Sequence, residues 1–87
     1  MTRKGGSRLE RMRRNPADDW TIADVEAVCR EYRVICRASR AGSSHYKVAH
    51  PALAAKLTIP FKRPIKPVYI RQLVSFLDAV RGADVPP

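Results

Sequence analysis

His45 stands in the run Gly42-Ser43-Ser44-His45-Tyr46, inside a stretch from Tyr32 to Leu77 that contains no Asp or Glu. Nine basic residues share that stretch: Arg33, Arg37, Arg40, Lys47, Lys56, Lys62, Arg63, Lys66 and Arg71. Outside it, eight basic and eight acidic residues cancel, so the whole net charge of +9 belongs to this one window. Imidazole is the side chain suited to moving protons near neutral pH. Set among cations without carboxylates, it is placed to act on a polyanion. RNA offers a reaction that needs little more. Its 2′-hydroxyl attacks the adjacent phosphorus once a base removes the proton, and nearby Lys or Arg side chains stabilise the charge that builds on the phosphoryl oxygens. DNA lacks that hydroxyl and would be bound without being cut by this route. The non-chemical alternative for His45 is a hydrogen-bonded surface residue.

Arg37, Lys47 and Lys56 are the candidates for holding backbone phosphates beside His45, and the Ser44 hydroxyl can bond a phosphate oxygen. Lys62, Arg63 and Lys66 alternate with Pro60, Pro64 and Pro67, which makes a stiff cationic loop that would extend the electrostatic track. Tyr69 could stack on a base. Ser43 and Ser44 are poor nucleophile candidates, because the window holds no Asp to orient a histidine beside them. His50 precedes Pro51 and reads as a turn residue.

A surface without carboxylates suits Mg²⁺ or Ca²⁺ poorly. Cys29 and Cys36 have neither zinc-ligand spacing nor a second ligand pair, and His45 and His50 do not complete one. No metal, and no small-molecule cofactor, is expected. Both cysteines read as small apolar residues in a reduced compartment. No apolar stretch is long enough for a signal core or a membrane span, so no membrane partner and a cytoplasmic location are expected.

The elements that must position these residues are short. Eighty-seven residues make one small domain, and 45% apolar content is enough for a core. Residues 1–18 are rich in arginine and read as a flexible basic arm, 19–82 as the folded domain and 83–87 as a tail. A helix is expected from Ile22 to Tyr32, with Thr21 as its cap, Asp24 in its first turn, and Trp20 and Val25 as a hydrophobic staple. Three strands follow, Val34–Ser39, Ser44–Ala49 and Lys56–Phe61. Alternation places Val34, Cys36, Ala38, Tyr46, Val48, Leu57, Ile59 and Phe61 on an apolar face, and Arg37, His45, Lys47, Lys56 and Thr58 on the other. A last helix begins at Pro67, carries Ile70, Leu73, Val74, Leu77 and Val80 on one stripe, and is expected to end at Gly82. The order α-β-β-β-α gives an α+β fold: a three-stranded antiparallel sheet with both helices on one face.

The segments Gly42-Ser43-Ser44-His45, His50-Pro51, Leu57-Thr58-Ile59-Pro60 and Arg63-Pro64-Ile65-Lys66-Pro67, in this order and followed by a C-terminal helix, resemble the HicA toxins of type II toxin–antitoxin systems. The resemblance spans roughly Thr21 to Val80. It implies a double-stranded-RNA-binding-domain-like fold and a metal-independent mRNA interferase whose one functional histidine falls on His45. It also implies mRNA as substrate and a HicB-like antitoxin protein as the partner that neutralises the toxin. The basic arm before Pro16 lies outside the core family domain, and two segments differ from the usual pattern. Ala52-Leu53-Ala54-Ala55 stands where many relatives carry a polar Asp-Gly turn, and Ala49 stands where an Arg often precedes the histidine of the turn. The expectation is therefore a toxin that cleaves RNA. The alternative from a different class is a non-catalytic RNA- or DNA-binding module whose basic face only docks phosphates.

Overall fold

The computed structural model describes residues 7–38, 45–60, 62 and 64–84. The elements run α1 (Ser7–Arg14), α2 (Ile22–Glu31), β1 (Ile35–Ala38), β2 (His45–Ala49), β3 (Leu57–Pro60) and α3 (Pro67–Asp84). The strands form one antiparallel sheet in the order β1-β2-β3, as the sequence leads one to expect. The helices cover one face of it, with α2 against β1, α3 against β3, and α1 against α3.

α2 forms where its local signals say it should. Thr21 is extended and closes a capping box: the Asp24 amide donates to Thr21 Oγ1 at 3.4 Å, and the Thr21 amide donates to Asp24 Oδ2 at 3.0 Å. Trp20 and Val25, the two staple residues, are both buried. At the other end the Val34 amide donates to the Cys29 carbonyl and the Arg33 amide to the Arg30 carbonyl. This is the paired bonding of a Schellman stop, with Arg33 at φ 58° in the left-handed position that glycine usually holds. The buried Val34 seals the stop and turns the chain into β1.

Register sorts the sheet's two faces. Cys36, Val48 and Leu57 form one inward row, and Ala38, Tyr46 and Ile59 form the next. From these rows Cys36, Val48, Leu57 and Ile59 meet Val25, Val28 and Cys29 of α2 and Ile70, Leu73 and Leu77 of α3 in one core, while Tyr46 stays half-exposed at its margin. The outward face carries the row Arg37, Lys47 and Thr58, and beside it His45 opposite Pro60. Arg37, His45, Lys47 and Thr58 are all exposed.

Two expectations are corrected. Within 1–18, residues 7–14 are not an arm but the helix α1, with Leu9 only 1% exposed and Met12 fully buried. An eight-residue helix is not stable alone, so its stability comes from docking. In the sequence Leu9 and Met12 suggest one short helical turn at most, and apart from the local Glu10 beside Arg13 the carboxylates that balance the arginines come from far along the chain. Arg13 donates two hydrogen bonds to Asp78, at 2.7 and 2.9 Å, and Arg8 donates to Glu31 at 2.8 Å. Trp20 anchors the link that follows, donating from Nε1 to the Asn15 carbonyl at 2.9 Å beneath the Arg11 guanidinium. The second correction concerns α3, which passes through Gly82 to Asp84. A glycine stops a helix when it takes the left-handed conformation, and Gly82 stays helical, with open space where a Cβ would lie.

Candidate nucleic-acid interface

His45 is the first residue of β2 and projects from the solvent face of the sheet. Two residues on, Lys47 shares that face at a spacing of about 7 Å along the strand. Lys47 lies directly opposite Arg37 in the register of β1. Like charges in cross-strand positions work against the sheet, because their side chains are about 5 Å apart at the Cβ atoms. An anion bound over them removes that repulsion. The structure thus brings Arg37, His45 and Lys47 together on one exposed surface.

The remaining expected residues divide into three groups. Lys56 precedes β3 at the end of the sheet away from Pro60, the register partner of His45, and faces a groove toward α3 instead. Four strand positions separate Lys56 from Pro60, about 13 Å of extended chain. Lys62 and Lys66 lie at the His45 end, where they line a recess of about 420 Å³ with Pro60, Pro64 and Tyr69. Ser44 and Arg63 lie outside the described residues, as do Gly42 and Ser43 of the turn and Phe61 of the third strand.

The loop that carries Lys62 and Lys66 is tied to the core. Ile65 between them is buried, and its amide donates to the Trp20 carbonyl at 2.9 Å. Lys62 and Lys66 are exposed while the backbone at Ile65 is held. The alternation of proline and lysine was visible in the sequence; the anchor to Trp20 was not, because it joins positions 45 residues apart.

His50 has a structural task. Its Nδ1 accepts from the Ala52 amide at 3.0 Å, and its carbonyl accepts from the Leu53 amide at 3.0 Å, which together build the turn after β2. Tyr46 points inward beneath α2, where the Glu26 carboxylate pushes its phenol above the ordinary value, chiefly by its negative charge. It is therefore directed away from the face that holds His45. Cys29 and Cys36 meet between α2 and β1 with both thiols free. The Cys29 thiol donates toward the Cys36 sulfur, which raises Cys29 and lowers Cys36 from the ordinary thiol value. Among the described residues no three His, Cys, Asp or Glu side chains gather as metal ligands would.

Sequence reasoning missed Arg71. It lines a larger, open groove of about 910 Å³ between α3 and the segment that leads into β3, opposite Lys56 and beside the exposed Val68. Its position on the helix was legible, but the groove exists only because β3 and α3 pack side by side. No described helix is long and apolar enough to cross a membrane.

Comparison with family models, with curated proteins and with solved structures finds no match to this chain.

Proposed function

We propose that this chain is an RNA endonuclease of the HicA type, the toxin half of a toxin–antitoxin pair, with His45 as its acid–base residue. The observation that carries the reading is the exposed surface on which His45 stands beside the cross-strand pair Arg37 and Lys47. Support comes also from the acid-free window around it and from the resemblance of four ordered segments to that family.

In this scheme an RNA strand lies across the sheet with a phosphate over Arg37 and Lys47. His45 takes the proton of the 2′-hydroxyl next to the scissile phosphate. The 2′ oxygen forms a bond to phosphorus, the bond from phosphorus to the 5′ oxygen breaks, and that oxygen leaves after receiving a proton from the imidazolium or from water. The products are a 2′,3′-cyclic phosphate and a 5′-hydroxyl. The two cations stabilise the charge that develops on the non-bridging oxygens. A HicB-like antitoxin would silence the chain by covering this face.

The test is a gel of end-labelled RNA incubated with purified wild-type and His45→Ala protein, with and without EDTA, and with DNA of the same sequence as control. Wild type is expected to cut RNA in EDTA and leave DNA whole. His45→Ala should bind RNA comparably but cut it at least about 100-fold more slowly. Equal cutting by the variant removes His45 from the chemistry. RNA that wild type binds tightly and in a salt-sensitive way, but never cuts, establishes instead a non-catalytic binding module. Growth arrest on induced expression, relieved by co-expression of a HicB-like neighbour, tests the biological role.

A further inference from the structure

We infer that the recess walled by Pro60, Lys62, Pro64, Lys66 and Tyr69 is a nucleotide subsite, which stacks one unpaired base of the bound RNA against the Tyr69 ring and holds that nucleotide's phosphate between Lys62 and Lys66. The inference rests on the proposed RNA-cleaving role only for its meaning, because base binding in the recess can be measured without any cleavage.

Four observations meet here. The recess has a volume of about 420 Å³, within the roughly 300–1,000 Å³ typical of small-ligand sites. Its walls combine one aromatic ring, two proline rings and two ammonium groups, which is the mixture a nucleotide requires: flat apolar surface for the base and cations for the phosphate. It is built in advance. Tyr69 is half-buried against the core in the first turn of α3, its amide donating to the Lys66 carbonyl at 3.0 Å, and the loop is pinned through Ile65 to Trp20. Lastly, Pro60 forms part of the wall and is also the register partner of His45 across β2 and β3, about 5 Å away at the backbone. A nucleotide seated in the recess therefore has its neighbouring phosphate at the His45 end of the sheet.

The larger groove beside α3 is a poorer fit for a base. Its walls mix aliphatic side chains with Lys56, Arg71 and Gln72, and its one aromatic residue, Phe76, is buried, so it offers cations but no exposed ring for a base to stack on. Base selection by this protein is thus expected at the Tyr69 recess, and the nucleotide held there is expected to set which phosphate reaches His45.

The experiment uses the full chain and a fluorescent 2′-O-methyl RNA oligonucleotide, which lacks the attacking hydroxyl and stays whole. Affinity is read by anisotropy, for the intact oligonucleotide and for a set carrying one abasic position each. Tyr69→Ala should weaken binding of the intact oligonucleotide roughly 5- to 100-fold. Tyr69→Phe should stay near wild type and also shows that the packing role of the ring is kept. Wild type should lose a similar factor at one abasic position, while Tyr69→Ala should be indifferent to that same change. Lys62→Gln and Lys66→Gln should each reduce the salt dependence by about one counterion, and Arg71→Gln should leave the abasic effect unchanged. The inference is overturned if no abasic position matters to wild type, or if Tyr69→Ala retains the full abasic penalty. Displacement by an acidic peptide with no measurable RNA binding also overturns it. Abasic coupling at Tyr69 with RNA left uncut by wild type would retain the subsite and remove the nuclease. Cutting that depends on His45, without coupling at Tyr69, would do the reverse.

Discussion

The arginines of α1 and the cations of the sheet face are the same kinds of residue in opposite settings. Arg8 and Arg13 of α1 reach carboxylates on α2 and α3, so their charge is spent holding helices together. Arg37 and Lys47 face each other across two strands, on a surface drawn from a window without a single Asp or Glu. A paired cation stabilises the fold modestly and attracts little from outside. Stacked like charges cost the fold something and are useful only when an external anion arrives. High arginine content alone therefore does not identify a binding surface in this protein; the position of the carboxylates does.

That contrast can be broken most sharply at α1. Because the helix is part of the folded domain, Leu9→Ala should cost about 2–5 kcal/mol, the range for emptying a buried leucine site. Chemical denaturation reads the change directly. A flexible arm would give no change in midpoint at all. Nucleic-acid affinity of the folded variant should stay close to wild type, because the substitution touches only the helical side.

A smaller effect of opposite sign is expected on the sheet face. Lys47→Gln relieves its repulsion from Arg37 and should stabilise the fold by about 0.2–1 kcal/mol, while lowering RNA affinity and flattening its salt dependence. A variant that lost stability together with affinity would mean that Lys47 has a structural partner, and the contrast between the two regions would fail.

The smallest effect concerns the Arg13–Asp78 pair, whose side chains are 38% and 42% exposed. Solvent screening limits such a pair to about 0–1 kcal/mol. Hydrogen bonding from Arg13 holds the Asp78 carboxyl below the usual range, and Asp78 in turn raises the guanidinium. Because the folded-state carboxyl is depressed, its contribution is present above the ordinary carboxylate range and is lost as pH falls through the folded value. Asp78→Asn should thus lower the melting temperature slightly at neutral pH, and the gap to wild type should close in acid. A gap that widened in acid would contradict the assignment.

Much of the fold was legible because its signals are local. Thr21 with Asp24, the alternation around Tyr46 and Val48, and the stripe from Ile70 to Val80 each lie within a few residues of one another, and all appear as expected. The interface was legible in part. His45 and Lys47 lie on one strand, so period-two alternation already places them together. Arg37 joins them only through the register of β1 against β2, and that register moves Lys56 to the far end of the sheet. Gly82 shows the limit of a local rule: glycine permits a helix end without enforcing one.

The chain's residues alone determined the α+β order, the two sheet faces and the confinement of the net charge to one window, because these follow from periodicity and composition. Only the tertiary structure decided that α1 belongs to the core, and that Tyr69 and the two lysines share a recess beside the strand partner of His45. Those outcomes depend on contacts between segments far apart in the chain. Leu9 and Met12 become core only when α3 is present to cover them, and a recess exists only once its separate walls have been folded together.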